Sequence, residues 1–318
     1  MERKTALITG GAGYLGSHLA KRLKEQNWRV IIFDKQDIKK VYHPYFDRWH
    51  SGDILDYNRL ECAILEEKVD VVFHLAGRIE VGASANEPVT FWNVNVAGTA
   101  NVLRLMQHHN IKNIVFSSTA AVYRTKDNEI AENDLVLSKS VYGNTKIACE
   151  QMIKDSKFNY AIFRFFNLAG ADPDCKIGEN HEPETHLIPQ IFKNLNNFVI
   201  NGNDFRTKDG TCVRDYVHVL DVADALISGY EYIHKSNSLI MNLGSGKGHT
   251  VLDIINIIQN KLKVKVNYTY GPRRSGDSDT LVADIYLARL ILNYNPKYTI
   301  EDIVETAYKW HIKKEKEN

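Results

Sequence analysis

The fold is decided by the stretch Thr5-Ala-Leu-Ile-Thr-Gly-Gly-Ala-Gly-Tyr-Leu-Gly16. Its first five residues form a short β-rich apolar run, which predicts a buried strand. The glycines that follow fit two overlapping dinucleotide patterns, G-x-G-x-x-G from Gly11 and G-x-x-G-x-x-G from Gly10. Glycine permits the tight turn and lets the backbone approach a pyrophosphate, which the N–H groups of the next helix then face. The stretch therefore predicts a dinucleotide-binding turn between a strand and a helix.

An acidic residue stands where the second strand is predicted to end. Asp34 follows Gly16 by 18 residues. A carboxylate there accepts hydrogen bonds from the adenosine ribose and repels a 2′-phosphate, which favours NAD over NADP. Lys35, beside it, weakens this preference, and a turn or capping aspartate is the alternative interpretation.

Strand-like and helix-like patterns alternate through the first half of the chain. Short apolar runs predict strands at Thr5–Thr9, Val30–Phe33, Val69–Leu75, Ile114–Ser117 and Ala161–Phe166. Amphipathic stretches predict helices at Leu15–Gln26, Tyr57–Glu67, Val89–His109 and Val141–Asp155. This alternation predicts an α/β protein with a Rossmann-type, doubly wound parallel sheet covered by helices.

The pattern changes after Asn167, where a loop rich in Gly, Pro and acidic residues begins. Further on, helices are predicted at Leu187–Asn196, Val219–His234 and Val251–Leu262, and strands at Phe198–Ile200 and Ile240–Leu243. We predict an NAD-binding domain over 1–170 and a smaller α/β substrate-binding lobe over 171–318. The strand near 240–243 is placed so that it can rejoin the first sheet.

Composition excludes several classes of protein. The 318 residues are 44% hydrophobic, and 40 Lys+Arg nearly balance 39 Asp+Glu. Such values are typical of a folded domain rather than a disordered chain, and they give no general attraction to nucleic acid or anionic membrane. The four cysteines are far apart, which predicts reduced thiols and a cytoplasmic location. No apolar run is long enough for a membrane span.

A second motif suggests acid–base chemistry. Tyr142 and Lys146 are four residues apart on a predicted helix and therefore share one face. A nearby ammonium group is expected to lower the pKa of the phenol, which would make Tyr142 a usable base. Ser117 and Thr119 lie at the end of a predicted strand, where open α/β sheets bind ligands. The glycine-rich turn, the strand-end hydroxyls and Tyr-x-x-x-Lys occur in this order along the chain. Together they form a far more specific signature than any one of them alone.

With these motifs the sequence resembles the extended short-chain dehydrogenase/reductase family, and within it the nucleotide-sugar 4-epimerases. The resemblance covers almost the whole chain. It is carried by Gly10–Gly16, Gly52-Asp53, His74–Gly77, Val81-Gly82, Asn95, Gly98-Thr99, Phe116–Tyr123, Tyr142–Lys146, Arg164–Asn167, Ile177–Glu179, Pro183–Pro189, Asp209–His218 and Arg273–Asp277.

The resemblance implies a role for each matching residue. Tyr142, Lys146 and Thr119 would be catalytic. NAD, held tightly, would be bound by Gly10, Gly13, Tyr14, Leu15, Gly16, Asp34, Lys35, Asp53, Ile54, Leu75, Ala76, Gly77, Asn95, Ser117, Tyr142 and Lys146. The UDP-sugar would be bound by Thr119, Asn167, Leu187, Arg214, Arg274, Asp277 and Leu281. The two arginines suit a diphosphate, and an ion pair with Asp215 or another surface acid is the alternative interpretation of Arg214.

The reaction implied is NAD-dependent 4-epimerisation of a UDP-hexose through a transient 4-keto sugar. Nucleotide-sugar dehydratases of this family need an added acid and base after the strand-end hydroxyl, but here Ala120 and Ala121 stand there. Epimerases of UDP-pentoses or UDP-uronates, a reductase, and a non-catalytic NAD-binding sensor are the alternatives. The resemblance also implies a homodimer, formed through the helices at Val89–His109 and Val141–Asp155.

Several positions depart from the family pattern. Arg78-Ile79 replaces an expected lysine, Phe165 an expected tyrosine, and Asn201 an expected aromatic residue. Leu281 stands where some epimerases have a bulky tyrosine, so we hypothesise that N-acetylhexosamines also fit.

The stretch from His181 to His186 looks at first like a zinc-protease motif. His181 and His186 are five residues apart with Pro183 between them, so they cannot share a helix face as H-E-x-x-H requires. We therefore predict a loop near the substrate and no metal site.

Overall fold

A computed structural model describes residues 3–37, 44–65, 67–126, 128–181, 183–236, 238–274 and 276–317. Ser275 of the stretch Arg273–Asp277 and Glu182 of the histidine-containing loop lie outside the described residues. By its internal contacts the chain forms two compact units. Unit 1 comprises Met1–Tyr123, Leu135–Arg164 and Ala223–Met241, and unit 2 comprises Arg124–Asp134, Phe165–Val222 and Asn242–Asn318.

The main sheet has seven strands in the order β3-β2-β1-β4-β5-β6-β10. They are β1 (Thr5–Thr9), β2 (Arg29–Asp34), β3 (Arg48–Ser51), β4 (Val71–His74), β5 (Asn113–Thr119), β6 (Asn159–Phe165) and β10 (Leu239–Leu243). β1 is parallel to both neighbours, with Ile8 opposite Ile32 and Phe73. Strands of such a sheet are buried on both faces, which explains the unbroken apolar runs. The order confirms the predicted doubly wound Rossmann-type sheet.

Helices cover this sheet. They are α1 (Tyr14–Glu25), α2 (Tyr57–Cys62), α3 (Val81–Ser84), α4 (Pro88–Phe91), α5 (Gly98–His108), α6 (Val141–Asp155) and α8 (Val219–Ile233). A π-helical segment, Trp92–Ala97, joins α4 to α5. The core contains Leu7, Ile31 and Phe116 from the strands and Leu105 and Ile153 from the helices, all essentially inaccessible to water.

Unit 2 contains two smaller sheets. In the first, β9 (Val213–His218) pairs with β7 (Asn167–Ala169), β11 (Gly248–Thr250) and β13 (Thr280–Leu281), and in the second β8 (Phe198–Asn201) pairs with β12 (Tyr268–Gly271). The helices are α7 (Leu187–Lys193), α9 (Val251–Leu262), α10 (Tyr286–Leu292) and α11 (Ile300–Glu317). Ile191, Ile255 and Val304 bring α7, α9 and α11 into one apolar core.

Two predicted helices end early. The helix predicted over Tyr57–Glu67 stops at Cys62. Ala63 and Ile64 donate to the carbonyls three residues back, so tight turns keep the apolar side chains buried and imitate the helical pattern. The helix predicted over Leu187–Asn196 ends at Lys193, where the side chain of Asn194 bonds the carbonyl of Gln190. Across the described ranges, no helix is long and apolar enough to span a membrane.

Candidate active site

The backbone of the glycine-rich turn packs so tightly against neighbouring atoms that Gly10 and Gly16 have no room for a side chain. Gly10 has a φ of +75°, and a Cβ there would lie 2.8 Å from the backbone nitrogen of Ala76. A Cβ on Gly16 would lie 2.2 Å from the carbonyl oxygen of Gly10. Gly13 precedes α1 without a capping side chain. The backbone thus forms a cradle at a helix N-terminus, the geometry that a pyrophosphate requires.

Asp34 lies at the carboxyl end of β2 and is tied to this turn. Its two carboxylate oxygens accept from the backbone N–H groups of Ala12 and Gln36, both at 3.0 Å. Burial raises the pKa of Asp34, and these hydrogen bonds partly offset the effect. The carboxylate therefore orders the turn, and its contact with the cofactor ribose stays a prediction that its place at the strand end allows. Lys35 is exposed beside it.

The remaining residues predicted to contact the cofactor lie at the ends of neighbouring strands. Asp53 is exposed after β3, Ile54 is buried against Gly98, and Leu75, Ala76 and Gly77 are half-buried directly after β4. A Cβ on Gly77 would lie 3.0 Å from Asn95 Oδ1 and 3.7 Å from Lys146 Nζ. Gly77 therefore lies where the predicted cofactor and catalytic residues meet.

Asn95 connects two parts of the site. It is buried within the π-helical segment. Its Oδ1 accepts from the N–H of Arg78 at 2.8 Å, and its Nδ2 donates to the Arg78 carbonyl at 3.1 Å and to Thr145 Oγ1 at 3.0 Å. π-helical turns are frequent at functional sites. Here the turn lets one side chain hold both the segment after β4 and the helix α6, which carries Tyr142 and Lys146.

Tyr142 and Thr119 are brought together at the start of α6. Ser140 caps this helix by accepting from the N–H of Gly143 at 3.0 Å. A Cβ on Gly143 would lie 2.5 Å from the carbonyl oxygen of Ala121, so the helix start packs directly against the residues after β5. Burial raises the pKa of Tyr142 to about 12, and the hydrogen bond with the Thr119 side chain partly offsets this.

Lys146 does not act as expected from the sequence. Its Nζ donates to the carbonyl of Ser117 at 2.8 Å and lies 4.8 Å from the centre of the Phe116 ring. Burial lowers the pKa of Lys146 itself. The prediction that Lys146 lowers the pKa of Tyr142 is wrong for the protein by itself, because desolvation of the phenol dominates.

Glu80 is a residue that the sequence did not single out. Its charge, together with that of Cys149, adds to burial in raising the pKa of Tyr142. Arg78 Nε donates to Glu80 at 3.3 Å, and Arg78 also lies 3.5 Å from Glu87. The sequence feature that could have pointed to Glu80 is the departure from the family pattern at Arg78-Ile79, directly before it. The arginine that replaces the family lysine is thus engaged with acidic neighbours.

His74 forms a neutral buried bridge behind the site. Its Nδ1 lies 2.7 Å from Thr9 Oγ1 and its Nε2 lies 2.9 Å from Thr99 Oγ1. Burial, aided by the charge of Lys146, lowers the pKa of His74 to about 3. The imidazole therefore stays uncharged and links β1, β4 and α5.

We expect His74 to make the protein acid-sensitive. Unfolded histidine takes up a proton below about pH 6.5, whereas folded His74 does so only near pH 3. The unfolded state therefore binds more protons as the pH falls through this range, so the free energy of unfolding decreases by up to about 1.4 kcal/mol per pH unit. Denaturant titrations should show a shallower pH dependence for His74→Gln, whereas the control His234→Gln, an exposed site, should keep the wild-type slope. Identical slopes in all three proteins would contradict this role.

The predicted substrate residues of unit 2 lie around β9. Arg214 is on β9 itself, Leu281 of β13 is its register partner, and Asn167 begins β7 opposite Tyr216. Arg214 pairs with Asp277 at 3.3 Å and donates to the carbonyl of Ser278 at 3.0 Å. The Arg214–Asp277 pair thus joins two predicted substrate residues.

The alternative pairing of Arg214 with Asp215 is not the one formed. Asp215 is completely buried and accepts from the N–H and hydroxyl of Ser245 and from the N–H of Gly246. Burial raises the pKa of Asp215, with these hydrogen bonds opposing the effect. Asp215 is therefore a structural residue of β9, whereas Arg214 pairs with another acidic residue, the exposed Asp277, as its alternative interpretation expected.

Asn201, which departs from the family pattern, hydrogen-bonds Arg274, a residue predicted to bind the diphosphate of the substrate. With its amide oxygen turned toward Arg274, it accepts from Nε and Nη2 at 3.1 Å each. Arg274 and Asp277 are exposed, and Leu187 is half-buried at the start of α7. Where the family pattern has an aromatic residue, Asn201 therefore orients the guanidinium of Arg274.

A Rossmann-type sheet whose first turn is a glycine cradle defines the class of dinucleotide-binding α/β proteins. The residues present fit an NAD molecule, because the cradle excludes side chains at Gly10 and Gly16 and a carboxylate ends β2. Within that class, the chain belongs to the NAD dependent epimerase/dehydratase family, whose model matches residues 6–244.

Similar proteins extend over the whole chain. A UDP-glucose 4-epimerase of Rhizobium meliloti is 38% identical, with 99% of each chain covered. The crystal structure of a UDP-glucose-4-epimerase from Stenotrophomonas maltophila with bound NAD and formylated UDP-arabinopyranose is 32% identical, with a TM-score of 0.95 and coverage of 99% of this chain and 100% of that one. The UDP-glucose 4-epimerase of Brucella ovis in complex with NAD is 33% identical, with a TM-score of 0.92 and coverage of 97% and 98%.

Proposed function

We propose that this protein catalyses the NAD-dependent 4-epimerisation of a UDP-hexose, with UDP-glucose and UDP-galactose as the interconverted pair. The observation that carries the proposal is that Tyr142 hydrogen-bonds the Thr119 side chain while Lys146, one turn along the same helix, lies beside Gly77 of the segment that follows β4. The full-length similarity to proteins named UDP-glucose 4-epimerase supports the same conclusion.

In this reaction Tyr142 accepts the proton of the sugar 4-hydroxyl, and Thr119 hydrogen-bonds the same oxygen and the phenol. NAD, when bound, supplies reversible hydride transfer at C4 and a positive charge that favours phenolate. This charge matters because an ordinary phenol is already protonated at neutral pH, and burial raises the pKa of Tyr142 further. Lys146, held by Ser117, orients the bound cofactor beside it. After a 4-keto sugar has formed and turned within the site, the same hydride would return from the bound cofactor to the other face of C4, and Tyr142 would return the proton to the oxygen.

Unit 2 supplies the residues for the nucleotide. Arg214 and Arg274 carry the charges that a diphosphate requires, and each guanidinium is already oriented, by Asp277 and Asn201 respectively. Asp277 would exchange its contact with Arg214 for one with the uridine ribose. Asn167 and Leu187 would complete the contacts to the nucleotide.

The alternative functions differ in the product that they form from a sugar nucleotide and in the cofactor that they consume. Ala120 and Ala121 cannot transfer protons, which argues against elimination of water. A net reductase would need an exchangeable cofactor and would consume NADH. A non-catalytic NAD-binding sensor would leave a sugar nucleotide unchanged.

The test is to incubate the purified protein with UDP-galactose, without added NAD, and to identify the products by chromatography and mass spectrometry. We expect UDP-glucose at a turnover that Tyr142→Phe abolishes. A 4-keto-6-deoxy product would identify a dehydratase, and an unchanged substrate would refute the proposal and leave the sensor, the reductase and the epimerases of other UDP-sugars.

We further propose that N-acetylated hexosamines are accepted, because Leu281 is smaller than tyrosine and lies opposite Arg214 on β9. Leu281→Tyr should lower turnover of UDP-GlcNAc at least about tenfold while sparing UDP-glucose. The control Leu290→Tyr alters an exposed leucine of α10 and should change neither rate. Wild-type protein without measurable UDP-GlcNAc turnover would refute the proposal.

Finally, we propose a cytoplasmic homodimer. The four free cysteines are consistent with a reducing compartment. Val89 and Trp92 are 70% and 42% exposed on the α4 and π-helical segment, as expected of an interaction surface. Light scattering should give twice the chain mass for the wild type and one chain mass for Trp92→Glu.

A further inference from the structure

Four side chains in the loop between β7 and α7 gather around one point in unit 2. Glu179, His181, Glu184 and His186 each offer one potential ligand atom, and these atoms all lie within 4.8 Å of one another. The spacing of His181 and His186 excludes a site only for ligands that share one helix face. The loop conformation brings the same residues together without a helix, so this exclusion does not apply to the folded protein.

Two of the separations between the ligand atoms match those around a small tetrahedral ion, and the His186–Glu179 pair, which is in direct contact, would have to open. His181 Nδ1 lies 3.5 Å from Glu179 Oε1 and 3.6 Å from Glu184 Oε1, and His186 Nδ1 contacts Glu179 Oε1. Zinc binds histidine and carboxylate at about 2.0–2.2 Å, which places tetrahedral ligand atoms about 3.3–3.6 Å apart. Only small shifts are needed to surround an ion with these four groups.

Burial of two carboxylates at one point calls for positive charge. Glu179 and Glu184 are only 8% and 7% exposed. Buried carboxylates are stable when they are paired or coordinate a metal. The nearby Lys314 bonds the side chain of Asn180, and His311 lies 3.3 Å from Glu315, so both are engaged beside the cluster. A divalent ion would compensate both carboxylates while the histidines remain neutral.

The surroundings hold the ligands in place. The Nε1 of Trp310 donates to the carbonyl of Glu179 at 2.8 Å, and the Trp310 ring packs against Gly178, where a Cβ would lie 2.3 Å from it. Glu184 Oε1 accepts from the N–H groups of Thr185 and His186 at 2.8 and 2.9 Å. Such outer contacts orient the ligands of natural metal sites. A cavity of about 210 Å³, lined in part by Glu179 and Glu184, reaches the cluster.

We propose that Glu179, His181, Glu184 and His186 form a structural binding site for a zinc-class divalent ion. Imidazole and carboxylate ligands suit Zn²⁺, whereas Mg²⁺ prefers six oxygen ligands. Four protein ligands leave no open position, which is the mark of a structural rather than a catalytic zinc site. Because His186 immediately precedes Leu187, the ion would fix the start of α7. The site does not depend on which sugar the enzyme converts.

The test measures metal retention by the full-length protein. Chelator-treated protein is equilibrated with Zn²⁺ in the presence of excess Mg²⁺, freed of unbound ions by gel filtration, and analysed by mass spectrometry of the elements. We expect close to one zinc per chain and a higher melting temperature than for the chelator-treated protein. Replacement by Co²⁺ should give the intense visible absorption of a tetrahedral complex.

Variants assign the site. The double variant His181→Gln with His186→Gln should lose retained zinc, the cobalt band and the thermal shift, whereas His311→Gln, at the edge of the same cavity, should keep all three. If the double variant does not fold, Glu184→Gln serves instead, because an amide oxygen still accepts from the two N–H groups; zinc affinity should fall at least about tenfold. Zinc-free wild-type protein, equal retention by the ligand variants, or a pale octahedral cobalt spectrum would overturn the proposal.

Discussion

Replacing Tyr142 by phenylalanine is expected to lower kcat for UDP-galactose by about 10²–10⁴-fold, the usual contribution of a positioned acid–base group. The phenol is buried at the start of α6, where it hydrogen-bonds the Thr119 side chain. Phenylalanine keeps the ring, so KM and the melting temperature should change little.

The matched control for this variant is Tyr286→Phe, which removes a phenolic oxygen from an exposed residue of α10. It should leave kcat unchanged. Activity of Tyr142→Phe close to that of the wild type would mean that another group removes the proton, and the assignment of Tyr142 as the base would fail.

The second large effect is expected at the glycine cradle. In Gly16→Ala the new Cβ would lie 2.2 Å from the carbonyl oxygen of Gly10 and 2.7 Å from the Cα of Gly11, so the turn must open. Distortion of this kind costs about 1–3 kcal/mol, which corresponds to roughly a 5- to 150-fold loss of NAD affinity. The purified variant should contain much less NAD per chain, measured by its release on denaturation.

Gly82→Ala provides the control, because a Cβ there would meet nothing within 4 Å. It should retain the wild-type NAD content. Circular dichroism of both variants separates loss of cofactor from loss of fold. A Gly16→Ala protein that is folded and fully loaded with NAD would contradict the proposed place of the pyrophosphate.

The parts of the fold that were predictable have local causes. β1 and the glycine cradle follow from an apolar run and from backbone positions that exclude side chains. α6 was predicted with its observed bounds, Val141–Asp155, because Ser140 supplies a cap and the apolar residues recur at helical spacing. α9 was likewise predicted as observed, with a capping box formed by Thr250 and Asp253.

The parts that were missed depend on tertiary contacts. β9 carries Arg214, Asp215 and His218, and this polar sequence was interpreted as a motif rather than as a strand buried in a sheet. The effect of Glu80 on Tyr142 and the hold of Asn201 on Arg274 join residues that are distant in sequence. The raised pKa of Tyr142 results from burial, which the spacing of Tyr142 and Lys146 does not reveal.

In the proposed reaction, the 4-hydroxyl of the UDP-hexose is transiently oxidised by a cofactor that stays on the protein. The most direct measurement uses UDP-glucose deuterated at C4, no added NAD, and mass-spectrometric and NMR analysis of the UDP-galactose formed. We predict that the product keeps its deuterium at C4, because the same hydride is returned to the opposite face. The deuterated substrate should also react more slowly than the unlabelled one, because the C4–D bond is cleaved. Loss of the deuterium to water, or equal rates under conditions in which hydride transfer limits turnover, would contradict transient oxidation at C4.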